Sequence, residues 1–404
     1  MKLVSLSPQS LSANEPLPFA VRDATGRLLL AAGQLAESQA SLNELRTQPL
    51  FADESESADW HRRLGAALDM KTRQGAALKD AASVRPDAPR DCATPVVLSL
   101  AAQWHDLVVQ LDAVLRNVRP GNDWRARLFG VHARARQMAE KRLDASLYHL
   151  VYEAGHSTLK YSCHHALLTL LICEQAAPLL GWQRPWTDSL GRAALCMNVA
   201  MLGLQDLLAS SDRPVTADVR AEIDSHAARG VLHLQDAGLG DPLACAVVGL
   251  HHDAADADLP LTELTPERQL ARLLRRVDIF TAKLSRRASR APMSPVQAAR
   301  EACLGAQGVP DDIGGALLKA VGLYPPGSFV QLVSGELGIV VARGSRANLP
   351  VVASLVSASG VPLLEPALRD TVERKHAVQA AVPPGKVKVR PPHERLMALR
   401  IASA

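Results

Sequence analysis

Apolar positions along this chain change their spacing from region to region, and the changes divide it. Between residues 1 and 50 they form short runs, Phe19-Ala20-Val21-Arg22 and Arg27-Leu28-Leu29-Leu30, separated by the turn-forming Asp23-Ala24-Thr25-Gly26. This predicts a small N-terminal β unit, with a short helix over about 39–46. Periodicity weakens over 51–94, where Glu54, Glu56 and Asp59 come early and Pro86 and Pro89 late. A polar helix over 60–77 and then a linker are expected. After Pro95 the spacing becomes helical: Trp104, Leu107, Val108, Leu111 and Leu115 make one stripe, which Pro120-Gly121 ends. A second helix follows over 124–143, so 95–145 reads as a helical hairpin, either packed on the next region or serving as a homodimer contact.

Helical spacing continues through 146–323 with no long strand-like run. Three helix starts are legible. Thr265-Pro266-Glu267 and Ser294-Pro295 each put a capping hydroxyl before a proline at the first helical position, and Thr216 precedes Asp218 and Glu222 at the positive end of a helix dipole. After Tyr324-Pro325-Pro326-Gly327 the period drops to two. Phe329–Val333 and Gly338–Val341 flank Ser334-Gly335-Glu336 as a hairpin, and Val351–Val356 and Val361–Leu364 flank Ser359-Gly360. A small C-terminal antiparallel β unit over 324–378 is expected. The segment 379–404, with two Pro-Pro pairs among lysines and arginines, reads as a flexible tail. The fold class is therefore mainly α, a helix bundle flanked by two small β units.

Composition narrows this picture. Of 404 residues 48% are hydrophobic but only 3% aromatic, so the core is built from Leu, Val and Ala. Six cysteines, with no close Cys-x-x-Cys pair and mostly in apolar helical contexts, read as reduced thiols of a cytoplasmic protein. No membrane span is expected, because the longest apolar run of the bundle, Ala166–Cys173, is far too short. The N-terminus also lacks a basic start leading into an apolar stretch. A net charge of +4 with no aromatic residues among the basic ones argues against a nucleic-acid partner. Charge is clustered locally, however: Arg272, Arg275, Arg276, Lys283, Arg286, Arg287 and Arg290 lie close together and would suit a small anion.

The candidate chemistry lies between residues 161 and 290. Tyr161-Ser162-Cys163-His164-His165, then Ala193-Ala194-Leu195-Cys196-Met197-Asn198, His226, His251-His252 and Asp278 fall at the ends of successive helical segments. A bundle converges ligands from such positions on one internal point. His165 lies four residues after Tyr161, on the same helix face one turn on.

This order resembles the HD-GYP family of metal-dependent phosphohydrolases, known members of which cleave cyclic di-GMP, over about 130 residues. The resemblance implies an HD-type bundle and a site with several replaced residues. Tyr161 stands for the first histidine, Met197 and Asn198 for the His-Asp pair, and Met201 for the lysine after it. Asp256-Ala257-Asp258-Leu259-Pro260 replaces the Gly-Tyr-Pro loop. His226, His251, His252 and Asp278 match the later ligands, and Arg287 and Arg290 match the basic residues that contact the ligand's phosphates.

Asn198 is neutral where the family has a bridging carboxylate, and the Met197 thioether suits hard ions poorly, so no binuclear centre of the family type is expected. His226, His251, His252 and Asp278, with His165 as a substitute, would suffice for one Fe, Mn or Zn ion. The competing reading makes them hydrogen-bonded polar core and leaves the protein without a cofactor. The expected function is a catalytically degenerate binding or scaffolding module of cyclic di-GMP signalling, partnered by the dinucleotide, another phosphate ester or a signalling protein. The alternative is a phosphodiesterase with a single metal.

Overall fold

The computed structural model describes residues 3–6, 19–23, 26, 28–30, 49–54, 56–57, 60–61, 64, 99–256, 259–305 and 308–399. The chain divides into two compact units, Met1–Val97 and Leu98–Ala404. In the first, β1 (Leu3–Leu6), β2 (Val21–Arg22), β3 (Leu28–Leu30) and β4 (Leu50–Asp53) form an antiparallel sheet in the order β1-β4-β2-β3. Val21 and Leu50 are its buried centre. β4 crosses the boundary expected at residue 50, because Leu50 and Ala52 alternate inward while pairing with β1. The helix expected over 39–46, the linker to 94 and most of the helix expected over 60–77 lie outside the described residues.

The second unit opens with α1 (Leu100–Leu115), where the Ser99 hydroxyl accepts from the Ala102 N–H at 3.2 Å. All five stripe residues of this helix are buried. The second helix breaks at Arg142 into α2 (Trp124–Lys141) and α3 (Leu143–His156). α4 (Tyr161–Ala176), α5 (Arg184–Cys196), α6 (Leu202–Ser210), α7 (Ala217–Asp236), α8 (Pro242–Leu250), α9 (Pro266–Leu284), α10 (Pro295–Cys303) and α11 (Asp312–Val321) follow. Thr216, Thr265 and Ser294 occupy the N-cap positions of α7, α9 and α10 as expected, but only the Thr216 and Ser294 hydroxyls accept from the helix backbone, and Ser294 and Gln297 form a reciprocal capping box. Buried side chains from Trp104 to Val321 make one continuous core, so α1 and α2 pack on the bundle, one of the two arrangements expected for the hairpin.

α4 lies at the centre of that core. Apart from the half-buried His164 and Gln175 every residue of the helix is buried, as an apolar helix without a polar face requires. Two helical stretches, Tyr161–Leu180 and Arg184–Ser210, reach the length and hydropathy of a membrane span, with 72% and 56% of their apolar windows buried within the fold.

β5 (Phe329–Leu332), β6 (Leu337–Ala342), β7 (Val351–Val356), β8 (Pro362–Asp370) and β9 (Val378–Val382) build an antiparallel sheet in the order β8-β7-β6-β5-β9. Its Phe329, Ile339, Ala353 and Leu355 pack with Tyr148 of α3 and with Leu396 and Met397 of α12 (His393–Ala398). The segment expected as a flexible tail is therefore structured as far as residue 399. β9 supplies the backbone partners of β5, and α12 buries two apolar side chains.

In the β5–β6 turn the Glu336 carboxylate accepts from Arg369 Nη2 at 2.7 Å and from the Ser334 hydroxyl at 2.8 Å. The Arg369 bond is the main reason its pKa falls to about 2. A depressed carboxyl pKa stabilises the fold fully above the ordinary carboxylate range, and the contribution vanishes as pH falls toward that lowered value. The stability gap between wild type and Glu336→Gln should thus close on acidification from about pH 5 downward, as read by denaturant unfolding at each pH.

A three-histidine cluster as candidate metal centre

α7 and α8 bring three imidazoles together. His226 is buried midway along α7, His251 caps the C-terminus of α8 with no exposed surface, and His252 follows it at the surface. Their ligand nitrogens all lie within 4.8 Å of one another. Tautomers follow from the backbone. His226 Nδ1 meets the Ile223 carbonyl and His251 Nδ1 meets the Val248 carbonyl at 2.6 Å. A carbonyl only accepts, so both Nδ1 atoms carry the proton.

Both Nε2 atoms then present lone pairs, and they face each other 3.3 Å apart. Two facing lone pairs repel unless a cation lies between them, and protonation is opposed: burial pulls His251 down to about 3, with the charge of His252 adding to it. Burial likewise lowers His226 and His252. Two nitrogens each about 2.0–2.1 Å from a tetrahedral zinc ion are about 3.3–3.4 Å apart, so the pair has the spacing of one metal's ligands. The buried Nδ1–H donors to carbonyls are what fixes a ligand imidazole in orientation. The residues therefore fit a single ion of borderline softness.

Asp278, expected in the same ligand set, lies near enough to act electrostatically on all three imidazoles but has its hydrogen bond to His165. Its carboxylate accepts from His165 Nε2 at 2.7 Å. Burial would raise its pKa, but this bond, the charge of His165 and the nearby His251 and His252 bring it down to about 2. His165, expected as a substitute ligand, thus has Nε2 occupied by Asp278, while Nδ1 lies 3.3 Å from the Thr281 hydroxyl. The one-turn spacing does place Tyr161 and His165 together: their rings stack 5.7 Å apart and nearly parallel.

Tyr161 is buried, and its hydroxyl accepts from Arg287 Nη2 at 3.2 Å. Arg290 Nη2 donates to the Ala282 carbonyl at 2.7 Å, and the two arginines are joined backbone to backbone. Both are half-buried, with donors already bonded inside the chain. Met197 and Asn198 are buried where α5 ends, and half-buried Met201 closes the short 3-10 turn after them.

Sequence reasoning missed what holds the start of α4. Asp206 accepts from the Ser162 N–H at 2.8 Å and from Arg116 at 2.9 Å. Lys160, left-handed at φ 48°, reaches Asp112 at 2.6 Å. It missed also the buried Glu174, which takes His132 at 2.6 Å together with Arg136. These partners are far apart in sequence, and no local pattern signals them.

Fold and cluster together define a mainly α bundle with a three-histidine centre among the described residues. No protein-family model matches the chain. A stretch of 192 residues is 26% identical to a cyclic di-GMP phosphodiesterase of Pseudomonas aeruginosa, covering 47% of this chain and 46% of that protein, so the match spans about half the length of each. Among solved structures, an HDG"Y"P protein from Bdellovibrio bacteriovorus aligns with a TM-score of 0.44 at 15% identity, over 78% of this chain and 98% of that one. The sequence match, with the later histidines converging in the expected order, supports an HD-GYP-type domain in this chain.

Proposed function

We propose that this protein acts in cyclic di-GMP signalling as a module that binds a phosphate ester without hydrolysing it. The observation that carries the reading is the engagement of Asp278 by His165. With one oxygen of that carboxylate bonded to His165 and a neutral amide at Asn198, the described residues lack a carboxylate at the position where the resembled family bridges its two ions. The similarity to a cyclic di-GMP phosphodiesterase supports the dinucleotide as ligand. The five described cysteines, all free and buried, suit a reducing compartment such as the cytoplasm. A signalling protein as partner and a homodimer both accord with a module that acts by binding.

The experiment is incubation of the purified protein with cyclic di-GMP, anaerobically, with Fe, Mn and Zn supplied in turn and products followed by chromatography. Calorimetric titration of the dinucleotide runs in parallel. The expected result is heat of binding and no product above a His251→Ala control. Turnover that His251→Ala abolishes would overturn the proposal.

The facing Nε2 atoms of His226 and His251 favour a second reading, a phosphodiesterase with one metal. His226, His251 and His252 would hold the ion, which supplies Lewis acidity when bound. Exposed His252 leaves that side open to a ligand, while Asp278, kept anionic by His165, lowers the local cost of positive charge.

A further inference from the structure

We propose that Arg275 and the cavity it lines form a subsite for one oxyanion group, either free phosphate or a single phosphoryl of a phosphate ester, beside the histidine cluster. The cavity, of about 50 Å³, is walled by Leu250 at the end of α8 and by four arginines of α9, Arg268, Arg272, Arg275 and Arg276. Leu250 is the residue before His251, so the cavity adjoins the histidine pair along the chain. Arg275 bears electrostatically on His252.

The four guanidinium groups are not equivalent. Arg268 pairs with Asp253 and Asp256. Arg272 donates to the Leu259 carbonyl at 2.7 Å and also to the Asp256 carbonyl. Arg276 makes a two-pronged pair with Asp311, at 3.0 and 2.6 Å. Arg275, half-buried, has no ion-pair or hydrogen-bond partner among the described residues. Of the described residues lining the cavity Asp253 and Asp256 are acidic, and Asp311 holds Arg276 from outside it. Arg275 is the arginine whose donors have no partner among the described residues, so they are the ones open to a ligand. A guanidinium fork lining a small, partly open space matches the geometry of a phosphate face. The paired neighbours hold the walls in place, so little ordering cost falls on the ligand.

The location beside the cluster gives the subsite its role and rests on the ligand-binding reading above. A phosphoryl held by Arg275 would place the rest of an ester toward exposed His252, making Arg275 a positioning residue for the ligand.

Inorganic phosphate is the probe, titrated calorimetrically into the full-length protein at millimolar concentrations, with zinc affinity measured on the same preparations. Arg275→Gln should lower phosphate affinity about tenfold or more. Arg275→Lys should recover part of it, and Arg213→Gln, an exposed arginine outside the cavity and the basic cluster, should change nothing. Zinc binding should persist in Arg275→Gln, at an affinity equal to or somewhat above that of wild type, because the arginine's charge no longer opposes the ion at His252. Phosphate binding that is absent from wild type, or equal in wild type and Arg275→Gln, overturns the subsite. Loss of phosphate binding in Arg275→Gln in a protein that binds no zinc upholds the subsite and separates it from the metal centre.

Discussion

Zinc should raise the melting temperature of the purified protein, and His251→Ala should abolish the rise. The argument begins with two unprotonated Nε2 atoms 3.3 Å apart, a spacing that repels when empty of charge and binds when a cation enters. Binding to the native state alone stabilises by about 4 kcal/mol at a thousandfold excess over Kd. Because His251 is fully buried, its removal also opens a cavity, so each variant is compared with its own metal-free baseline. His252→Ala, at the exposed position, should keep a smaller shift. Three neutral imidazoles without a carboxylate favour zinc over manganese. An equal shift in His251→Ala would sink the assignment, and a preference for manganese would show that Asp278 had left His165.

Gly327→Ala should destabilise the second unit by about 3 kcal/mol or more, from a left-handed backbone and a steric clash together. Gly327 has φ +92°, and a Cβ on it would fall on the Tyr148 carbonyl oxygen of α3, with the Tyr152 backbone nitrogen at 2.9 Å. Its own N–H donates to Val340 at 2.8 Å, which fixes the loop where the sheet meets the bundle. Neither side of that contact is a flexible side chain, so relief requires moving α3 or β6 as a whole. Urea unfolding gives the loss directly, and a change within about 0.5 kcal/mol of wild type would show that the loop has room to shift.

Much of the bundle was legible because its signals are local. The stripe from Trp104 to Leu115 and the caps at Thr216, Thr265 and Ser294 each report on one helix, and no distant partner alters them. The same holds for the shared face of Tyr161 and His165. What was not legible depends on pairing across the chain. His165 and Asp278 are 113 residues apart, and Arg287 and Tyr161 126, so a ligand set drawn from sequence order could not show that these groups satisfy one another. β9 was hidden for a related reason. Val378–Val382 sits among prolines and basic residues, and it becomes a strand because β5 offers a free edge.

That edge has a consequence for how the protein is made. β5 is flanked by β6 on one side and by β9 on the other, and β9 is the last strand of the sheet to be synthesised. A ribosome that has passed residue 342 has released a hairpin whose outer edge, Phe329–Leu332, still lacks its partner, and it stays open until residue 382 has emerged. Unpaired apolar edges are where nascent chains join one another. Completion of this sheet is therefore a late event in biogenesis, and a ribosome stalled or a chain cleaved between β8 and β9 leaves a product prone to self-association even though the helices of its bundle are complete.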